Sequence, residues 1–87
     1  MMQLKDLHVG DLALVRQCWR GTASWAPMQV ELSGIVINRA HTTIYTREGT
    51  FLFIILLLRD GSDMMFVDDI PDYFYECELL GPAAGML

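Results

Sequence analysis

Apolar and polar residues alternate along this chain in short runs rich in β-branched and aromatic side chains, the pattern of strands rather than helices. Met28-Gln29-Val30-Glu31-Leu32 alternates with period two, the mark of a half-buried strand. Ser33-Gly34 interrupts it, a glycine position typical of a bulge or tight bend. Ile35-Val36-Ile37 continues, and Asn38-Arg39-Ala40-His41 reads as a turn. Upstream, His8-Val9-Gly10-Asp11 is turn-like and leads into a first strand from Leu12 to Trp19, while Arg20 to Pro27 reads as a loop that carries Trp25. Downstream, Thr42 to Thr46 fits a short strand or an ordered loop, Arg47-Glu48-Gly49 turns, and Thr50 to Leu58 forms a strand. Asp60-Gly61 predicts a hairpin, because that dipeptide accepts the positive φ of tight turns. Asp63 to Val67 returns, Asp68-Asp69-Ile70-Pro71-Asp72 predicts a single 3₁₀ turn, and Tyr73 to Leu80 is the last strand.

A helix is the rival reading for residues 50–58, but their short length, their aromatic content and the Asp-Gly that follows favour a strand. No segment joins a cap to a sustained 3.6 period, so at most a turn or two of helix is expected. Short strands at this spacing predict one all-β domain over residues 1–80, a small barrel or sandwich, with 81–87 as a loose tail.

The run Phe51 to Leu58 departs from the half-buried pattern, because both of its faces are apolar. Phe51, Phe53, Ile55 and Leu57 lie on one side, Leu52, Ile54, Leu56 and Leu58 on the other. A single-layer wall has one interior, so one row must face outward, where it needs a cover. Pattern alone does not say which row that is. The candidate self-association surface is therefore the middle of the run: Leu52, Phe53, Ile54, Ile55 and Leu56.

The chain's 87 residues are 53% hydrophobic, which disfavours disorder. A domain of this length buries only about 60–65% of its unfolded surface, so oligomerisation is one of the usual sources of added stability. Charge is unevenly spread. Residues 1–59 hold six bases and four acids, residues 60–87 seven acids and no Lys or Arg, for a net charge of −5. An acidic last third disfavours nucleic-acid binding, which relies on clustered Lys and Arg. The N-terminus shows no secretory h-region, and the longest apolar run, eight residues, is too short for a spanning helix, which needs about twenty. The expectation is a protein of the cytoplasm, or of a particle it builds, without membrane contact.

Candidate chemistry is sparse. His8 and His41 both sit in predicted turns with no nucleophile motif around them. Asp60-Gly61-Ser62-Asp63 lacks the alternating ligands and distal Glu of a calcium loop, and no phosphate loop, CxxC or HExxH occurs. No cofactor, metal or catalytic residue is expected.

Four elements, in order, carry a resemblance: Val9-Gly10-Asp11-Leu12, Ser33-Gly34-Ile35-Val36-Ile37, the apolar strand ending in Arg59-Asp60-Gly61, and Val67-Asp68-Asp69-Ile70. Over residues 9–80 this layout resembles small SH3-like β-barrel proteins common in marine bacteriophages. The sequence departs from them in two places. Leu57-Leu58 replaces the aromatic usual before the hairpin, and the connection at 20–27 is longer. The resemblance implies an all-β, five-stranded SH3-like barrel with the 3₁₀ turn before its last strand, and first and last strands as neighbours. Cys18 and Cys77 then lie on adjacent strands, either as two reduced buried side chains or as a disulfide.

The leading functional expectation is a non-enzymatic interaction or assembly module that self-associates, in keeping with a phage structural or accessory protein of the host cytoplasm or virion. The alternative is a monomeric adaptor docking a basic peptide or host protein in an aromatic–acidic groove formed by Trp19, Trp25, Asp68, Asp69, Asp72, Tyr73 and Tyr75. A minor third reading is a small enzyme whose site forms only at an oligomer interface. A plasmid-borne dihydrofolate reductase builds such a pore from SH3-like barrels, although its Val-Gln-Ile-Tyr signature is absent here.

Overall fold

A computed structural model of the chain describes residues 2–19, 29–44, 47–68 and 73–82. Five antiparallel strands make one sheet: β1 (Asp11–Trp19), β2 (Gln29–Ile44), β3 (Arg47–Leu58), β4 (Asp63–Val67) and β5 (Tyr73–Pro82). They lie in the order β4-β3-β2-β1-β5. The first and last strands are neighbours, as expected. A 3₁₀ turn at Leu4–Asp6 precedes the sheet, and no α-helix occurs among the described residues.

Alternation along each strand sends one row of side chains into a common core. Ala13 and Val15 come from β1, Val36 from β2, Ile54 and Leu56 from β3, Phe66 from β4, and Tyr75 and Cys77 from β5. Leu4 and Leu7, both fully buried, close this core from the N-terminal segment. The 3₁₀ turn holds them there, with the Asp6 and Leu7 N–H groups donating to the Gln3 and Leu4 carbonyls at 3.0 and 3.2 Å. This turn carries no apolar period and was not legible in the sequence. The 3₁₀ turn expected at 68–72 falls almost wholly outside the described residues.

β2 corrects the expected turn at Asn38 to His41. The strand runs on to Ile44, with its pairing to β3 shifting by one residue between Val36 and Asn38. Ile37 is the extra residue of this bulge and points outward, 43% exposed. Without the shift, Asn38 would follow Val36 into the core. With it, Asn38 is exposed and the strand continues through a polar stretch. Gly34 lies where the two ladders of β2 overlap, opposite Ala13 of β1 and Leu58 of β3. A Cβ there would run into the Leu57 carbonyl oxygen, so only glycine permits this approach.

The expected hairpin is present between β3 and β4. Gly61 has φ +89°, its N–H donates to the Leu58 carbonyl at 3.0 Å, and the Asp60 carboxylate accepts the Ser62 N–H at 3.0 Å. Hydrogen bonds from the Ser62 hydroxyl and then the Ser62 N–H hold the Asp60 carboxyl below its usual range.

No ladder among the described residues joins β4 to β5, so the sheet is not closed by backbone pairing. Side chains span the gap instead. The Tyr75 hydroxyl of β5 donates to the Val67 carbonyl of β4 at 2.8 Å, and the Tyr75 ring meets Phe66 edge-on at 5.8 Å.

Candidate functional site

The structure decides which row of β3 is inside. Leu52, Ile54 and Leu56 are buried, the last two completely, and Leu58 packs against the core. Of the five residues of the candidate association surface, these three are core and only Phe53 and Ile55 stand on the outer face, half-buried. Ladder register supplies their neighbours. Phe53 pairs with Val67 and Ala40, Ile55 with Met65 and Asn38, and Leu57 with Asp63 and Ile35. Leu57 is 38% exposed and Met65 55%. Phe51, at the end of this row, is 6% exposed. The outer face of β2–β3–β4 is thus an apolar patch with partly open side chains on all three strands. Sequence reading missed Met65, which the three-residue loop at 59–61, closed by the Leu58 N–H donating to the Ser62 carbonyl, places opposite Ile55.

The other half of the outer face is charged at its centre. Arg16, at the middle of β1, lies directly between Glu31 of β2 and Glu76 of β5 in the ladder. Its Nη2 reaches Glu31 Oε2 at 2.8 Å and its Nη1 reaches Glu76 Oε2 at 3.2 Å. Hydrogen bonds to these two carboxylates raise the guanidinium pKa further above its ordinary value.

The residues of the candidate groove separate. Trp19 and Tyr73 form a register pair, edge-to-face at 5.3 Å and half-buried, with Asp68 also half-buried. Tyr75 is instead a core residue, 8% exposed, whose hydroxyl also accepts from Gln17 Nε2 at 3.3 Å. Burial raises its pKa. Trp25, Asp69 and Asp72 lie outside the described residues.

Cys18 and Cys77 are both buried thiols. Cys18 pairs with Phe74 while Cys77 pairs with Val15, so an odd offset puts the two thiols on opposite faces of the sheet. Adjacent strands therefore do not bring them into bonding geometry. Burial, then the negative charges of Asp6 and Asp68, pushes the Cys77 thiol up to about 11. At neutral pH it is an inert core side chain.

His8 and His41 are exposed, and among the described residues no three His, Cys, Asp or Glu side chains gather to hold a metal. No described helix is long and apolar enough to cross a membrane. Compared with protein-family models, curated proteins and solved structures, the chain matches none.

Proposed function

We propose that this chain is an SH3-like barrel acting as a non-enzymatic interaction module that self-associates through the outer face of β3 and its neighbours. Two features support the barrel reading. Neighbouring β1 and β5 leave β4 and β5 at the two sheet ends, and Tyr75 draws those ends together through Val67 and Phe66. Gly34 lets the long β2 serve both halves of the wall. The sequence layout shared with small phage barrels supports a structural or accessory role in the host cytoplasm or virion.

One observation carries the self-association reading. The inner row of β3 already fills the core, yet the outer row repeats its apolar character and stays partly open at Phe53, Ile55 and Leu57. Burying a large apolar side chain contributes about 1.5–3 kcal/mol. A few such residues on each copy thus offset association costs of about 4–15 kcal/mol. Native mass by light scattering over a wide range of concentrations tests this: an oligomer that persists on dilution and dissociates in Ile55→Lys supports it. A wild-type monomer at every concentration overturns it.

The Trp19–Tyr73 pair favours a second reading, an adaptor site for a basic, partly apolar peptide. A captured peptide whose affinity is unchanged by Trp19→Ala and Tyr73→Ala would remove it.

A further inference from the structure

The two edges of the sheet are finished differently. Along β5 the Cys77 N–H donates to the Met2 carbonyl at 2.9 Å, and Met2 pairs with Cys77 as an extra antiparallel bridge. β5 also pairs irregularly with β1 near Leu12 and ends in Pro82, features that discourage further strand addition. Among the described residues β4 has none of these guards. Its sequence Asp63-Met64-Met65-Phe66-Val67 holds no Lys, Arg or Pro, and Asp63, Met64 and Met65 are exposed.

Ladder parity shows which backbone groups this edge presents. The Leu58 N–H donates to the Ser62 carbonyl and the Asp68 N–H to the Leu52 carbonyl, both at 2.8 Å. Bonded and non-bonded pairs alternate in an antiparallel ladder, so Met64 and Phe66 aim their backbone groups at β3. Asp63, Met65 and Val67 aim theirs away from it. The Val67 carbonyl is engaged by Tyr75, which leaves Asp63 to Met65 as the open stretch, with Met64 at its midpoint.

The geometry points to pairing of this edge with the same edge of a second copy, antiparallel about a two-fold at Met64. Asp63 and Met65 of each copy exchange backbone hydrogen bonds with Met65 and Asp63 of the other. A second copy fits for three reasons. The β5 edge is occupied by Met2, so a head-to-tail β4-to-β5 array lacks its acceptor, whereas identical edges close by a two-fold. The antiparallel register sets each Asp63 opposite a methionine rather than another acid. It also leaves the outer apolar patches of both copies on one side of the joined sheet. The inference deepens the self-association reading by adding a second contact surface, and an edge and a face contact close on four copies where their two-fold axes meet at right angles.

The test uses the whole chain. Met65→Pro removes an N–H that faces away from β3, a position where an edge strand tolerates proline. With circular dichroism unchanged, it is expected to halve the native mass. Met64→Cys places two thiols across a non-bonded pair, about 4.5 Å apart at Cα, within disulfide reach. Mild oxidation should give a linked pair that Thr50→Cys does not form, and this readout stands even if the proline variant does not fold. A folded Met65→Pro of wild-type mass, together with no linkage through Met64→Cys, overturns the inference; an edge taken by an extended strand of another protein gives that result. Ile55→Lys separates the two surfaces. An oligomer that resists Ile55→Lys and yields to Met65→Pro has the edge contact alone, and the reverse has the face contact alone. A wild-type monomer overturns both.

Discussion

β1 and β3 each sit between two hydrogen-bonded neighbours, and each buries one row of side chains in the same core. Their outer rows differ. At the centre of β1 stands Arg16, answered on both sides by carboxylates from the strands it pairs with. At the centre of β3 stands Ile55, flanked by Met65 and Asn38, with more apolar side chains above and below it. The ion-paired half is suited to water, where such pairs add little stability but keep the face soluble. The apolar half gains by being covered. The difference between the outer rows is what the proposed self-association rests on; the inner rows, being alike, do not distinguish the two strands.

Changes at adjacent residues of β3 sharpen this contrast most. Leu56→Ala opens a cavity in the core and is expected to cost about 2–5 kcal/mol in chemical denaturation. Ile55→Ala, one residue away, should cost far less in dilute monomer, and equal losses would break the distinction between the faces. Gly34→Ala, at the junction of the two halves, is next, at about 1–3 kcal/mol, because the backbone carbonyl of Leu57 has little room to yield.

The pH dependence follows. The folded state raises the Cys77 pKa, so the proton is held more tightly in the native chain than in the unfolded one. That stabilisation is complete below the ordinary thiol pKa near 9.0 and is lost as pH rises toward about 11. The loss is at most about 3 kcal/mol, at about 1.4 kcal/mol per pKa unit. Tyr75, also raised, acts in the same direction. Denaturant midpoints between pH 8 and pH 11 (roughly the thiol range) should fall for the wild type and fall less for Cys77→Val. A slope unchanged by that substitution would refute the assignment.

Smallest is Arg16→Ala, which leaves two carboxylates facing each other across β1. A slight loss in melting temperature is expected, varying with added salt. Ile55→Ser should show no such salt dependence. If both respond alike to salt, the two halves of the outer face are not electrostatically distinct.

Much of this was legible from sequence. Alternation and turn residues located β1, the 59–62 hairpin, β4 and β5, because these depend on local backbone preference. The two apolar faces of residues 51–58 announced an unfinished surface, but not its side. Residues 38–41 misled, since their polar composition mimics a turn while a bulge carries the strand through. The aromatic–acidic grouping also divided once register was known, with Tyr75 in the core and Trp19 and Tyr73 half-buried.

The sequence by itself determined that this is an all-β chain with more apolar surface than one wall needs. Those properties are set residue by residue, by side-chain shape, turn chemistry and period. Only the tertiary structure decided that Ile54 faces in and Ile55 out, that Cys18 and Cys77 lie on opposite faces of the sheet, and that Met2 pairs along β5 while no described strand pairs along the outer edge of β4. Each of these depends on register between strands distant in sequence, where a slip of one residue exchanges the two faces.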